Sequence, residues 1–361
     1  MKFEAITIKD IARALGLSTS TVSRALRDSY QISPETKKLV LEYAKKINYS
    51  PNPIALSLKE KRSRSIGVIV CEIANSFFSQ AINGIESIAY DRGYNVIITQ
   101  SHESYEREVN DLQFLASRSI DGLLISVSSE TKNFDHLMDL QHKGLPIVFF
   151  DRIFDDIETH KVMVNNFKGS FDATSHLIKN GYRHIAHLAN SDSLSITRER
   201  AAGYCEALKH HGIEVDESYI KYCAHGGMLY QEVEEALNLI MKHERLPQAV
   251  FAAGDKLTTG FLRYFKAKGI KVPEQIALAG FSNLDLTDLL NPSLTVVRQP
   301  AFEMGKAATN LLLSQVESKR PVNTFQKIVL EPELLIRDSS RPPHVTPLVP
   351  LKGGTKVKSS L

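Results

Sequence analysis

From Ser65 to about residue 340 the chain keeps one rhythm, and that rhythm constrains its fold more than any other feature. Short apolar runs at Ile66–Cys71, Asn95–Thr99, Gly122–Ser126, Ile147–Phe150, His184–Leu188, Ala249–Ala252 and Ile276–Phe281 are strand-sized. Amphipathic segments lie between them at Phe78–Arg92, Glu106–Arg118, Ser170–Asn180, Arg198–His211, Gln231–Lys242 and Lys256–Lys268. Strands alternating with helical patterns predict βαβ units, hence parallel sheets with helices on both faces. About 275 residues of this pattern exceed one comfortable core, so two α/β lobes are expected.

Composition agrees with a packed protein. Of 361 residues, 43% are hydrophobic and 24% charged, which excludes disordered, collagen-like and low-complexity chains. No apolar run approaches the length that spans a bilayer. The start, MKFEAITIKDIARA, has no uninterrupted apolar stretch after its first Lys, so no secretory signal is expected. Cys71, Cys205 and Cys223 make no disulfide framework and read as reduced core residues of a cytoplasmic protein.

The net charge of +3 conceals an asymmetry. Residues 1–65 hold thirteen Lys and Arg against six Asp and Glu, a charge of +7; the remainder holds 31 against 35, a charge of −4. A small basic module joined to a larger acidic body points to a polyanion-binding head.

The head has its own pattern. Thr7-Ile8-Lys9-Asp10 reads as a capping box with Asp in the usual Glu or Gln place. Ile8, Ile11, Ala12 and Leu15 then share a helical face, and Gly16 ends the helix. Ser18 caps a second helix to about Arg27, with Val22, Ala25 and Leu26 inward and Thr19, Ser20, Ser23 and Arg24 outward. Ser33-Pro34-Glu35-Thr36 opens a third helix whose Leu39, Val40, Tyr43, Ala44 and Ile47 face the core. Two short helices about a glycine turn make a helix-turn-helix. Exposed hydroxyls and an arginine on the second helix suit groove reading, since Arg grips guanine bidentately.

The run TIKDIARALGLSTSTVSRALRDSYQISPETKKLVLEYAKKINYSPNPIALSLKEKRSRSIGVIV strongly resembles the N-terminus of the LacI/GalR family of repressors, and the resemblance continues through most of the body. It implies that Thr19, Ser20 and Arg24 read bases. It implies that Thr7, Ser18, Thr21, Ser23 and Asn52 meet the DNA backbone or cap the helices that do. A hinge helix starting at Asn52-Pro53 would carry Ala55 and Leu58 to DNA, Leu58 matching the leucine that wedges into the minor groove. Leu56 stands where the family often has Arg.

For the body the resemblance implies a periplasmic-binding-protein-like fold, lobe 1 comprising 65–163 and 294–326 and lobe 2 comprising 164–293 and 327–340. The head would occupy 1–50, the hinge 51–64 and a disordered Pro/Gly/Ser/Lys-rich tail 341–361. Ligands of such folds bind where strand C-termini face each other. The family-matched effector positions are Asn75, Phe77, Phe78, Asp151, Arg200, Asp255, Ser282 and Gln299, with Arg152 and Gly254 beside them. Arg, Asp and Asn together supply the donors and acceptors that a hydroxyl-rich ligand needs, and Phe77 or Phe78 would cover a sugar ring. Ser282 replaces the Asp, and Gly254 the Asn, that the family commonly shows there.

No Gly-x-Ser-x-Gly elbow, Walker-type loop or zinc-ligand spacing occurs, so neither an enzyme nor a metal or other cofactor is expected. His184, His187, His210 and His211 read as ordinary surface or core histidines. The tail lacks a leucine heptad, which favours a homodimer. The expected protein is a ligand-responsive transcriptional regulator, a repressor acting on operator DNA under a sugar-like effector. The competing expectation is a carbohydrate-binding protein without gene control.

Overall fold

The computed structural model describes residues 6–49 and 62–342. The head contains α1 (Ile8–Leu15), α2 (Thr19–Ala25) and α3 (Pro34–Lys46). Thr7 starts α1, its amide and hydroxyl donating to the Asp10 carboxylate at 2.9 and 2.7 Å. Gly16 turns the chain with φ +64°, a left-handed value that suits glycine. Ser18 then caps α2 by accepting from the Thr21 amide at 3.0 Å, and Ser33 caps α3 by accepting from Thr36. Ile11, Ala12, Val22, Ala25, Val40 and Ala44 form the small core. Leu39 departs from expectation, being 48% exposed. The buried stripe of α3 runs through Val40 and Ala44, one turn apart, and leaves Leu39 on its shoulder.

The body has two six-stranded sheets. The first contains β1 (Ser65–Val70), β2 (Asn95–Gln100), β3 (Gly122–Ile125), β4 (Ile147–Phe150), β5 (His160–Val164) and β11 (Lys327–Leu330), in the order β11-β5-β4-β3-β1-β2, all parallel. The second contains β6 (Ile185–Ala189), β7 (Ile220–Tyr222), β8 (Ala249–Ala252), β9 (Ala277–Phe281), β10 (Thr295–Arg298) and β12 (Glu333–Leu335), in the order β12-β10-β9-β8-β6-β7. Only its β10–β12 pair is antiparallel. Buried runs such as Gly-Leu-Leu-Ile in β3 and Ala-Val-Phe-Ala in β8 suit strands covered on both faces.

Helices α4 (Ser76–Asp91), α5 (Tyr105–Ser117), α6 (Asp135–His142) and α11 (Ala301–Glu317) cover the first sheet. Helices α7 (Asn166–Lys179), α8 (Ser195–His210), α9 (Tyr230–Ile240) and α10 (Asp255–Lys268) cover the second. Helices α4 and α11 pack backbone against backbone. A Cβ on Gly84 would lie 2.0 Å from the Phe302 carbonyl oxygen, and one on Gly305 would lie 2.1 Å from that of Ala81.

The chain passes between lobes after β5, after β10 and after β11. This corrects the expected lobe boundaries. β10, within the stretch 294–326 assigned to lobe 1, pairs with β9 in lobe 2, whereas β11, assigned to lobe 2, pairs with β5 in lobe 1. The reason is that α11, not the strand before it, makes the second passage: its Ala301, Met304 and Ala308 join the lobe 1 core. Among the described residues no helix is long and apolar enough to cross a membrane, and no group of three or more His, Cys, Asp or Glu could hold a metal ion.

Candidate functional site

Within each lobe the second strand in chain order sits outside the first, so the strand order reverses between β1 and β3 and between β6 and β8. Loops diverge at such points and open a crevice beyond the strand C-termini. The two crevices face each other, and the cavity between them has a volume of about 60 Å³. Asn75, Phe77, Phe78, Asp151, Arg200, Asp255 and Gln299 all line it.

Asn75 caps α4, its Oδ1 accepting from the Phe77 amide at 3.0 Å. That bond turns Phe77 and Phe78 inward, edge to face with 5.2 Å between ring centres. Asp151 follows β4 with φ +61° and is 5% exposed; burial raises its pKa against the opposing pull of Arg152 and Arg200. Arg152 holds Glu103 through two bonds of 2.7 and 2.8 Å and lies 3.1 Å from the Cys71 sulfur. Burial raises the Glu103 carboxyl, but the Arg152 charge and hydrogen bonds outweigh it and leave the pKa lowered.

Arg200 sits in the second turn of α8. Its Nε donates to Asn166 Oδ1 at 2.8 Å and its Nη1 to the Ala253 carbonyl at 2.7 Å, and burial pushes its pKa down to about 10. Asp255 makes no hydrogen bond to Arg200. Its Oδ1 instead accepts from Ser282 Oγ at 2.6 Å and from the Asn283 amide at 2.9 Å, while burial raises its pKa. Ser282 therefore stands behind Asp255 and fixes it. A carboxylate at 282 would face Asp255 as a like charge.

Glu72, Glu103, Asn190, Ile196, Met228 and Lys256 also line the cavity and were not singled out in the sequence. Asn190 directly follows β6, so the loop-after-strand rule could have found it. Three buried polar atoms of the lining residues have no hydrogen-bond partner among the described residues: Arg152 Nε, Asn190 Oδ1 and Gln299 Nε2. Around the cavity the lobes touch. Lys256 Nζ lies 3.0 Å from Glu72, and Ser193 Oγ donates to the Ser129 carbonyl at 2.9 Å. Gln80 and Asn283 exchange two bonds, of 2.9 and 2.8 Å.

In the head, Thr19, Ser20 and Arg24 project from α2 into solvent. The Ser18 hydroxyl lies 2.7 Å from Ser20 Oγ and 2.8 Å from Thr21 Oγ1, so Ser18 and Thr21 are engaged in the cap. Thr7 is likewise tied to Asp10. Ser23 is held by Arg27, which bonds both its hydroxyl and its carbonyl. Ser20, Ser23, Arg24 and Arg27 share one shallow surface groove. Asn52, Ala55, Leu56 and Leu58 lie outside the described residues.

Residues 7–52 match the family described as bacterial regulatory proteins, lacI family, and residues 63–330 match periplasmic binding proteins and sugar binding domain of LacI family. The HTH-type transcriptional repressor CytR of Escherichia coli (strain K12) is 34% identical, over 93% of this chain and 97% of its own length. The HTH-type transcriptional repressor PurR of Vibrio campbellii (strain ATCC BAA-1116) is 31% identical, over 92% and 98%. Among solved structures, a transcriptional regulator CelR–cellobiose complex aligns over 92% of this chain and 99% of its own with TM-score 0.68 and 28% identity. These relatives are regulators rather than enzymes. The head, the two lobes and these matches place the chain in the LacI family, as a DNA-binding transcriptional repressor with a periplasmic-binding-protein-like effector domain.

Proposed function

We infer that this repressor acts in the cytoplasm as a homodimer on a near-palindromic operator, and that a sugar or sugar derivative bound between its lobes sets its affinity for that operator. Thr19, Ser20 and Arg24 read base edges, while Thr7, Ser18, Thr21 and Ser23 place α2 against the backbone. Asn52, Ala55 and Leu58 complete the DNA contacts in the hinge. In the cleft Asn75, Asp151, Arg200, Asp255 and Gln299 bond ligand hydroxyls, Phe77 and Phe78 cover the ring, and Ser282 orients Asp255.

The observation that carries this reading is the set of buried, unpartnered atoms in the residues of the cleft wall, Asn190 Oδ1 as acceptor and Arg152 Nε and Gln299 Nε2 as donors. Buried polar groups without partners cost about 1–3 kcal/mol each, so a ligand offering both a donor and an acceptor would be held strongly. A sugar hydroxyl is both. The cavity of about 60 Å³ holds a water or two, not a sugar ring, so entry requires the lobes to part. Parting breaks Lys256–Glu72, Ser193–Ser129 and Gln80–Asn283, and this motion is the route by which ligand reaches the DNA-binding end. Support for a sugar also comes from the relative solved with cellobiose.

A thermal-shift screen of neutral and phosphorylated sugars on the full chain tests the ligand class. A stabilising hit should then alter a band shift on operator DNA. Stabilisation by no member of either set would remove the sugar reading.

A further inference from the structure

The segment that leaves the head region enters lobe 1 through a fastening outside both the cleft and the helix-turn-helix. Asp121, the residue before β3, places its carboxylate against the chain just before β1. Its Oδ1 accepts from the Ser63 amide at 2.8 Å and from the Ser63 hydroxyl at 3.2 Å, and its Oδ2 accepts from the Arg64 amide at 2.8 Å. The backbone completes the joint: Asp121 N donates to the Ser65 carbonyl at 2.8 Å, and Asn95 N to that of Arg64 at 2.8 Å. Arg64 adopts φ +52°, and its guanidinium sits over the Tyr94 ring. Arg62 Nη2 donates to the Val316 carbonyl at 3.0 Å, in the last turn of α11.

We propose that Asp121 is a positioning residue for operator binding: its carboxylate fixes the direction in which residues 62–65 leave lobe 1 and thereby the placement of the DNA-binding segment before them. The proposal rests on the reading of the head as sequence-specific. A positive φ at a non-glycine residue is a conformation the chain leaves readily unless held. Here it is held by a charged acceptor taking two successive backbone amides, an arrangement stronger than neutral hydrogen bonds.

The joint is also well placed to transmit. β1 runs from Ser65 to Val70 and delivers Cys71 and Glu72 to the cleft wall. β3 runs from Gly122 to Ile125 and leads to Val127, whose carbonyl accepts from Arg152 at 3.2 Å. Asp121 and the cleft thus lie at opposite ends of the same two paired strands, about 20 Å apart at 3.3 Å per residue. A change at the cleft reaches the departing chain through two strands fastened together at Asp121.

The test compares wild type, Asp121→Ala and Asp121→Asn as full chains, with two readouts. Hydrogen exchange follows the Ser63 and Arg64 amides. Affinity is measured for a duplex selected by the wild type from a random pool and for a scrambled duplex of the same composition. Asp121→Ala should lose protection at both amides and lower the selected-to-scrambled affinity ratio about tenfold, roughly the effect of leaving one backbone residue to be ordered on binding. Affinity for scrambled DNA and the melting temperature of the body should hold. Asp121→Asn keeps one carbonyl acceptor and should fall between; it carries the same test if the alanine variant fails to fold. An unchanged ratio despite lost protection, or unchanged protection, overturns the proposal. A wild-type chain that selects no duplex would overturn the sequence-specific reading of the head as well, and the exchange data would distinguish that failure from one at Asp121.

Discussion

The guanidinium carbon of Arg200 lies 3.9 Å from the centre of the Phe281 ring, so the cation spreads its face on the aromatic at the end of β9. Two of its nitrogens are spent on Asn166 and Ala253, which aims the remaining donor at the cleft. Replacing Arg200 by Ala should therefore weaken binding of the effector found by the thermal-shift screen by about thirtyfold or more, since truncating a buried charged partner costs about 2–5 kcal/mol. Operator binding without effector should be retained. Calorimetry with and without operator checks both, because effector and DNA must change each other's affinity by one shared factor. Wild-type affinity in the variant would take Arg200 out of the site.

Arg24 offers a second measurement, in the head. Arg24→Ala should cut the preference for operator over scrambled DNA by about 1–3 kcal/mol while preserving salt-sensitive binding to both. Competition band shifts at two salt concentrations give the answer. Retained preference would mean that Arg24 does not read a base.

The Glu103–Arg152 pair is buried on both sides, at 5% and 7% exposure. Glu103→Ala leaves the Arg152 charge unpaired and should destabilise lobe 1 by about 3–5 kcal/mol, read by urea unfolding. Glu103→Ala with Arg152→Met should be less destabilised than Glu103→Ala alone. If the double variant is the weaker of the two, the stranded charge is not the cause.

His187 is fully buried in β6, stacked between Tyr204 and Phe251, and burial pushes its pKa down to about 4. In the unfolded chain it titrates near 6.5, so below that pH the unfolded state takes up a proton the folded state refuses. Stability from this group is complete above pH 6.5 and falls as pH drops toward 4, by about 3 kcal/mol over the interval. Asp151 and Asp255, raised by burial, act in the opposite direction, so the contribution is isolated by difference. His187→Phe should flatten the stability profile between those pH values; a parallel profile would refute the assignment.

How much of this was legible beforehand varied with what each residue depends on. The βαβ rhythm announced the architecture because strands such as β3 and β8 are buried on both faces and read as unbroken apolar runs. Strands β5, β7, β10, β11 and β12 and helices α6 and α11 went unmarked. β11, Lys-Ile-Val-Leu, is a half-exposed edge strand whose four residues carry no sign of which sheet they join. That choice is made by the partner β5, far away in sequence. Cavity-lining positions next to strand ends were readable, as Asp151 and Asp255 show. Glu103 was not, because its meaning lies in Arg152, and no local pattern joins the two.

The passages after β5 and β11 lie against each other, Asn165 N donating to the Leu330 carbonyl at 2.9 Å and its Nδ2 reaching Glu331 at 3.1 Å. Together with the passage after β10, they make the connection between the lobes a ribbon rather than a thread. A thread would let one lobe swivel freely on the other and lose the message of an occupied cleft among many orientations. A ribbon resists twisting and yields mainly in bending, so an occupied cleft would be converted into the angle of one bend. The cut ends of a single nicked passage would still be held in register by the other two, which is the mechanical margin that the to-and-fro course of the chain provides.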